Sequence, residues 1–277
     1  MAGKKALFVG INKFANYAQF TLNGCVNDAK DMAALYKDVL GFKASEMSIL
    51  SDAQATKANI MANLNAMVTD AKAGKLNYLV FSLSSHGTQM NDTSGDEPDG
   101  KDEAFVPHDI AEKSGSWDPA HIICDDDLHD LFAQLPDGVL LEVYLDTCHS
   151  GTGLRGAEFG LHAPKARYVA PPDHEFDKKT AKMRGFTLKP REAKSVAGQN
   201  QMLWTGCKAN ETSADAYFNG RYNGAFTYYF VKVTRDTQNK LARKDVIVKM
   251  RALMKSQFAQ NPQLEGNASN RAQAIVY

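Results

Sequence analysis

The chain has 277 residues, 32 Lys and Arg against 32 Asp and Glu, and 44% hydrophobic residues. That is ample material for one large domain or two modest ones and excludes a disordered, collagenous or coiled-coil chain; a formal net charge of zero gives nucleic acid no footing as a partner. No apolar run reaches the ~18 residues that span a bilayer, so no membrane partner is expected, and four cysteines without a CxxC pair fit free thiols in a reducing cytoplasm.

In chain order, Lys5–Ile11 reads as a buried first strand, its apolar stretch being too short for a secretory signal. Val26–Leu40 has helical spacing, with Asn27 or Asp28 in N-cap position. Met47–Leu50 is a short strand, Lys57–Ala73 a helix ended by Gly74, and Asn77–Ser85 another strand. Asp125–Gln134 reads as a helix and Val139–Asp146 as a strand. Continuous apolar strands alternating with helices predict a parallel sheet covered on both faces, whose functional groups gather beyond the strands' carboxyl ends. Further on, Gln201–Gly206 and Gln273–Tyr277 read as strands, and Asn223–Thr234 and Lys244–Gln260 as helices.

Charge is uneven along the chain. Residues 91–130 carry 13 Asp and Glu against 2 Lys and Arg, and residues 151–200 carry 10 Lys and Arg against 5 Asp and Glu. Both stretches read first as solvated loops. The basic one, with Pro164, Pro171, Pro172 and Pro190, reads as a long exposed connection.

Two strands end in chemically loaded turns. Asn77–Ser85 delivers His86-Gly87, and the strand ending at Asp146 delivers Thr147-Cys148-His149-Ser150-Gly151. Were the strands parallel neighbours, His86 and Cys148 would meet at one sheet edge, although 62 positions separate them. An imidazole beside a thiol favours the nucleophilic thiolate, and the glycine after each turn leaves amides free to hold an oxyanion. His149 adjoins the cysteine, but consecutive side chains on an extended strand point apart. The competing account of Cys148 is a small buried hydrophobe.

The segments GINKF, GCVNDAKDM, SSHG, DTCHSGTG and GCKANETSADA, in that order, resemble the metacaspases of the caspase-like cysteine peptidase clan. The resemblance covers nearly the whole chain. It implies a caspase-like three-layer α/β/α sandwich with a mostly parallel central sheet, and an endopeptidase cutting peptide bonds after Arg or Lys. His86 and Cys148 would form the dyad, and the amides of Gly87 and Cys148 the oxyanion hole. Asp28 and Asp146 would line the pocket for the residue before the cut, where paired carboxylates bind a guanidinium and repel an acidic side chain. Helix capping is the competing role for Asp28. Ser213 and Asp215 fall on the family's late strand and loop beside the groove. Ser85 and Thr147 replace the usual Gly and Ser without touching the dyad.

The resemblance also implies calcium, with ligands at Asp102, Asp125 and Asp126. The fourth position is Arg155, a cation where a carboxylate is expected; Glu158 or Asp127 would have to compensate. A domain of residues 1–277 is expected, with a large-subunit-like part at 1–154 holding the dyad, an exposed basic linker at 155–200 and a small-subunit-like part at 201–277, without a pro-domain. An Arg/Lys-specific peptidase with such a linker is a candidate to cut itself, after Arg155, Arg167, Lys178, Lys179, Arg184 or Arg191. Its partners would be proteins or peptides with Arg or Lys before the cut, and it would act as a cytoplasmic monomer. Two other readings stand beside this one: a catalytically silent interaction module on the same fold, and a caspase-like preference for Asp.

Overall fold

A computed structural model describes residues 3–91, 101–148, 163–172, 200–208 and 211–275. The first half runs β1 (Gly3–Gly10), α1 (Cys25–Asp38), β2 (Met47–Ser51), α2 (Lys57–Lys72), β3 (Leu76–Ser84), β4 (Gly87–Asn91), β5 (Lys101–Phe105), β6 (Glu112–Lys113), β7 (Ser116–Trp117), β8 (Ile123–Cys124), α3 (Asp125–Phe132) and β9 (Leu140–Asp146). The second half runs β10 (Lys165–Ala166), β11 (Gln201–Thr205), β12 (Ala214–Phe218), β13 (Arg221–Gly224), α4 (Ala225–Asp236), α5 (Arg243–Met254), β14 (Gln263–Gly266) and α6 (Ala268–Arg271).

Six strands form the central sheet in the order β14-β11-β9-β3-β1-β2. All pair in parallel except β14, which is antiparallel to β11. The central strands β1, β3, β9 and β11 are largely apolar because that part of the sheet is buried on both faces, whereas the edge strands β2 and β14 are only partly buried. Leu7, Val9, Leu79, Phe81 and Leu83 pack with Ile60, Leu64 and Val68 of α2 and Leu128, Leu131 and Phe132 of α3. The alternate residues Ala6, Phe8, Tyr78 and Val80 face the opposite core, with Met32 and Leu35 of α1, Phe226 and Phe230 of α4 and Met250 of α5. The period of two thus sorts one continuous apolar run into two cores, giving the expected three layers.

Three local expectations need correction. Gly24, not Asn27 or Asp28, is the N-cap of α1; Asp28 lies in the first turn, and its carboxylate is engaged elsewhere. Asn219-Gly220, with φ of +47° and +95°, makes a tight two-residue connection between β12 and β13, so the helix expected from Asn223 starts at Ala225. The last strand is Gln263–Gly266, while the stretch expected to form it brings Ile275 into the core beside α4 and α5.

What the fold does for the site is set by one register. Ser84 of β3 lies opposite Asp146 of β9, so the residues two positions beyond each strand, His86 and Cys148, leave the sheet at the same edge.

Candidate active site

The turns after β3 and β9 touch through their backbones. A Cβ added to Gly87 would stand 1.8 Å from the Cys148 carbonyl oxygen, so only glycine permits this approach. His86 is buried against Phe14 and Phe20, with ring centroids 5.3 and 6.2 Å away. Its Nε2 lies 2.7 Å from the Phe20 carbonyl. A carbonyl only accepts, which puts the neutral ring's proton on Nε2 and leaves Nδ1 unprotonated. Nδ1 is buried and bonded to no protein atom among the described residues. Burial lowers the imidazole's pKa to about 4, against the raising effect of the Phe20 bond and with help from the nearby charges of Arg167 and Lys165.

Cys148 is fully buried. The Ser213 amide donates to its Sγ at 2.6 Å, and the Ser213 carbonyl lies 3.3 Å from the same sulfur. Cys207 is a second buried thiol nearby, its Sγ donating to the Glu211 carbonyl at 3.4 Å and the Thr147 carbonyl at 3.7 Å; its closeness to Cys148, then burial, raises its pKa well above the ordinary thiol value.

Beside this pair lies an acidic pocket with a cation in it. Arg167 is fully buried; its Nη2 reaches Asp28 at 2.7 Å and Asp215 at 3.1 Å, and its Nη1 reaches Asp146 at 3.1 Å. The expectation that the basic connection is wholly exposed fails at this residue, because three carboxylates offset the cost of burying the guanidinium. Each carboxylate is held from behind. Asp146 accepts from Ser213 Oγ at 2.6 Å and from the Thr227 hydroxyl and amide at 2.7 and 3.1 Å. Asp28 accepts from Asn223 Nδ2 at 2.9 Å and the Gly224 amide at 3.0 Å, and Asp215 from the amides of Asn23 and Gly24 at 2.8 and 2.9 Å. Burial pushes the Asp28 carboxyl up to about 7 in spite of the guanidinium. Gly224 makes room: a Cβ there would lie 2.1 Å from Asp146 Oδ2 and 2.4 Å from Arg167 Nη1.

The main chain of this segment is gripped as firmly as its side chain. The amides of Gly87 and Cys148 both donate to the Arg167 carbonyl, at 2.9 and 3.2 Å, and the Arg167 amide donates to the Ser213 carbonyl at 3.1 Å. Lys165 and Ala166 pair antiparallel with Asp215 and Ala214. On the other side of Arg167, the Val169 amide donates to the Gly87 carbonyl at 3.0 Å.

The structure therefore brings together His86, Gly87, Cys148, Asp28, Asp146, Ser213, Asp215 and one expected cut position, Arg167. Phe20, Thr227, Asn223 and Gly224 complete the site and were not singled out from sequence. Phe20 acts through a carbonyl that every residue carries, and the other three lie in a hairpin and helix start read only coarsely. Asp102 is buried on β5 opposite Met90; Asp125 and Asp126 open α3, whose Asp127 accepts from the Cys124 amide and pairs with Lys57. Among the described residues no group of three or more His, Cys, Asp or Glu is arranged to hold a metal ion. Arg155, Glu158, His149, Lys178, Lys179, Arg184 and Arg191 lie outside the described residues.

A buried thiol and a buried imidazole thus lie together at the carboxyl edge of the parallel sheet. Caspase-1 from Spodoptera frugiperda superposes with a TM-score of 0.60 at 12% identity, over 99% of this chain and 89% of that one; this likeness concerns the fold. A protein from Geobacter sulfurreducens superposes with a TM-score of 0.68 at 26% identity, over 99% and 98% of the two chains. Residues 4–156 match the family model of the metacaspase peptidase C14 domain. The chain is 32% identical to Metacaspase-1 of Scheffersomyces stipitis over 94% of its own length and 70% of the relative's. It is also 32% identical to Metacaspase-1 of Meyerozyma guilliermondii, over 95% and 69%. This chain belongs to the metacaspase family of cysteine peptidases.

Proposed function

We propose that this metacaspase is an endopeptidase that cuts after Arg or Lys, with His86 and Cys148 as its dyad, and that it also cuts its own chain. One observation carries the reading: the residue whose guanidinium meets Asp28, Asp146 and Asp215 is the residue whose carbonyl receives the amides of Gly87 and Cys148. That is the pose of a residue preceding a bond to be broken, its reacting carbon fixed and its oxygen already polarised.

In the reaction, Nδ1 of His86 takes the Cys148 proton and the thiolate attacks the carbonyl carbon. The oxyanion forms on the two amides. The carbon–nitrogen bond then breaks as His86 returns the proton to the leaving amine. Water hydrolyses the thioester, releasing the acid and restoring the thiol. The Phe20 carbonyl holds the ring through Nε2 throughout. A Lys ammonium suits the pocket as well as a guanidinium does, whereas an Asp substrate would bring a fourth carboxylate to three.

Substrates would be proteins or peptides. A monomer in the cytoplasm is part of the proposal, supported by four free cysteines. Among the described residues no helix is long and apolar enough to cross a membrane. Calcium held by Asp102, Asp125 and Asp126 is part of the proposal only as an activator, and the ion or a chelator, added to the same assay, reads out that dependence.

The test is hydrolysis of fluorogenic Arg, Lys and Asp peptides by the wild type and Cys148→Ala. Turnover of the Arg and Lys peptides by the wild type alone is expected. Activity that survives Cys148→Ala, or a preference for Asp, overturns the assignment; no turnover by any variant favours a binding module.

A further inference from the structure

An imidazole serves proton transfer only while its ring keeps one orientation, and for His86 that orientation rests on the bond from Nε2 to the Phe20 carbonyl at 2.7 Å. The two ends of this bond are 66 positions apart in the chain. The acceptor closes a single 3-10 turn, Ala18–Phe20, in which no residue is buried. Gln19 to Leu22 also border an open cavity of about 400 Å³, shared with His86, Lys165 and Tyr168. A tie on that side, from Lys165 Nζ to the Thr21 carbonyl at 3.1 Å, is exposed. The firm hold on the turn comes from another element.

That element is the ribbon of β6 and β7, which form a small sheet of their own. Glu112 lies opposite Trp117, and Ser114-Gly115, with φ of +55° and +81°, makes the connection. A ribbon this short is not stable alone. Its Glu112 and Lys113 are exposed, and Trp117 is the residue it buries. The indole meets the stacked rings of Tyr17 and Phe20, themselves 4.9 Å apart, edge-on at 5.8 and 6.4 Å. Its Nε1 donates to Thr88 Oγ1 at 2.9 Å in a buried bond. The Tyr17 hydroxyl adds an exposed bond to Glu112 at 2.9 Å. Thr88 stands two residues after His86. One side chain therefore grips both the turn that carries the acceptor and the strand that follows the donor.

We propose that Trp117 is a positioning residue of the reaction: it bridges β4 to the Ala18–Phe20 turn and so holds the Phe20 carbonyl on His86 Nε2. The proposal rests on the peptidase reading above and adds to it one residue that acts through Phe20 and Thr88. With the bridge cut, the turn shifts, the imidazole turns about its Cβ–Cγ bond, and proton transfer to and from the sulfur loses its geometry. The carboxylates of Asp28, Asp146 and Asp215 are held by other elements, so substrate binding is spared. The loss falls on kcat and leaves KM in place.

The experiment uses the purified full chain, an arginyl fluorogenic peptide and histidine labelled with nitrogen-15. The imidazole N–H resonance of His86 is assigned by its loss in His86→Gln. In the wild type it is expected as a hydrogen-bonded, slowly exchanging proton. Trp117→Leu keeps an apolar side chain but loses the ring edge and the N–H. It is expected to lower kcat about tenfold with KM within about twofold, and to lose the resonance to exchange with water. Trp117→Phe restores a ring edge and is expected to bring back the resonance and kcat to within about threefold of wild type. Thr88→Val has nearly the same shape and removes the acceptor alone. It is expected to lower kcat about threefold at unchanged KM, and it carries the test where circular dichroism shows that Trp117→Leu does not fold. Wild-type kcat in folded Trp117→Leu or in Thr88→Val, a loss confined to KM, or a fallen kcat beside an unchanged resonance overturns the proposal. Those results leave the peptidase reading standing. A wild type that turns over neither Arg nor Lys peptides overturns that reading instead, and the resonance alone then decides whether Trp117 holds the ring.

Discussion

Two arginines of this molecule are fully buried among the described residues, and both face carboxylates on β9. Arg243, at the start of α5, meets Glu142, which also accepts from Trp204 Nε1 at 2.9 Å. Its remaining N–H groups reach the carbonyls of Asn270 and Ala274 at 3.0 and 2.8 Å. Charge is balanced there, one against one, and the cation belongs to a helix that cannot leave. Four residues along the same strand, Asp146 joins Asp28 and Asp215 around Arg167. Here three carboxylates face one guanidinium, and the cation comes from the segment just after the two-residue strand β10 instead of from a helix. A balanced buried pair holds a fold together; an acidic excess held by neutral donors is what the proposed pocket for a basic substrate residue requires.

The largest expected effect lies at the balanced pair. Arg243→Met strands Glu142 without its countercharge and should cost about 3–5 kcal/mol in urea unfolding, most of it recovered by adding Glu142→Leu. At the pocket, removing a carboxylate relieves an excess. Asp146→Ala should therefore move unfolding by no more than about 1 kcal/mol while lowering kcat/KM for an arginyl peptide at least about 100-fold. Similar losses of stability in Arg243→Met and Asp146→Ala would erase the distinction.

Next comes acid stability. His86 titrates at about 4 in the fold against 6.5 for an ordinary imidazole, so the unfolded chain binds more protons between those values and stability falls as pH falls. The loss should reach about 2 kcal/mol by about pH 5. Asp28, whose pKa is raised, acts in the opposite sense, so the wild type must be compared with His86→Gln, in which the acid-side slope flattens. The smallest effect is on binding. Asp28 loses its proton as pH rises through about 7, and a charged carboxylate holds a cation better, so KM for an arginyl peptide should fall a few-fold across that range, and not at all in Asp28→Asn.

The parallel sheet was legible because β1, β3 and β9 are buried on both faces and read as mostly apolar runs. The dyad was legible because two such runs end in His-Gly and Cys-His turns. The β12–β13 connection carried a plain signal in Asn219-Gly220, yet the aromatic run after it drew the helix start two residues early. Arg167 was legible as one of six candidate cut positions in a basic stretch expected to be exposed, but not as a buried residue. Composition describes a segment, whereas burial of one member depends on the partners that Asp28, Asp146 and Asp215 supply from three distant elements.

The sheet order also decides what becomes of the pieces after a cut. β11 sits between β9 and β14, with Gln201 to Thr205 matched to Leu141 to Leu145, and Trp204 stacks on Tyr144 with centroids 5.8 Å apart. A break after Arg167 falls between β9 and β11 in the chain but leaves their shared seam intact. The halves should part on a denaturing gel and still elute together from a sizing column, as a two-chain molecule sewn along the middle of one sheet.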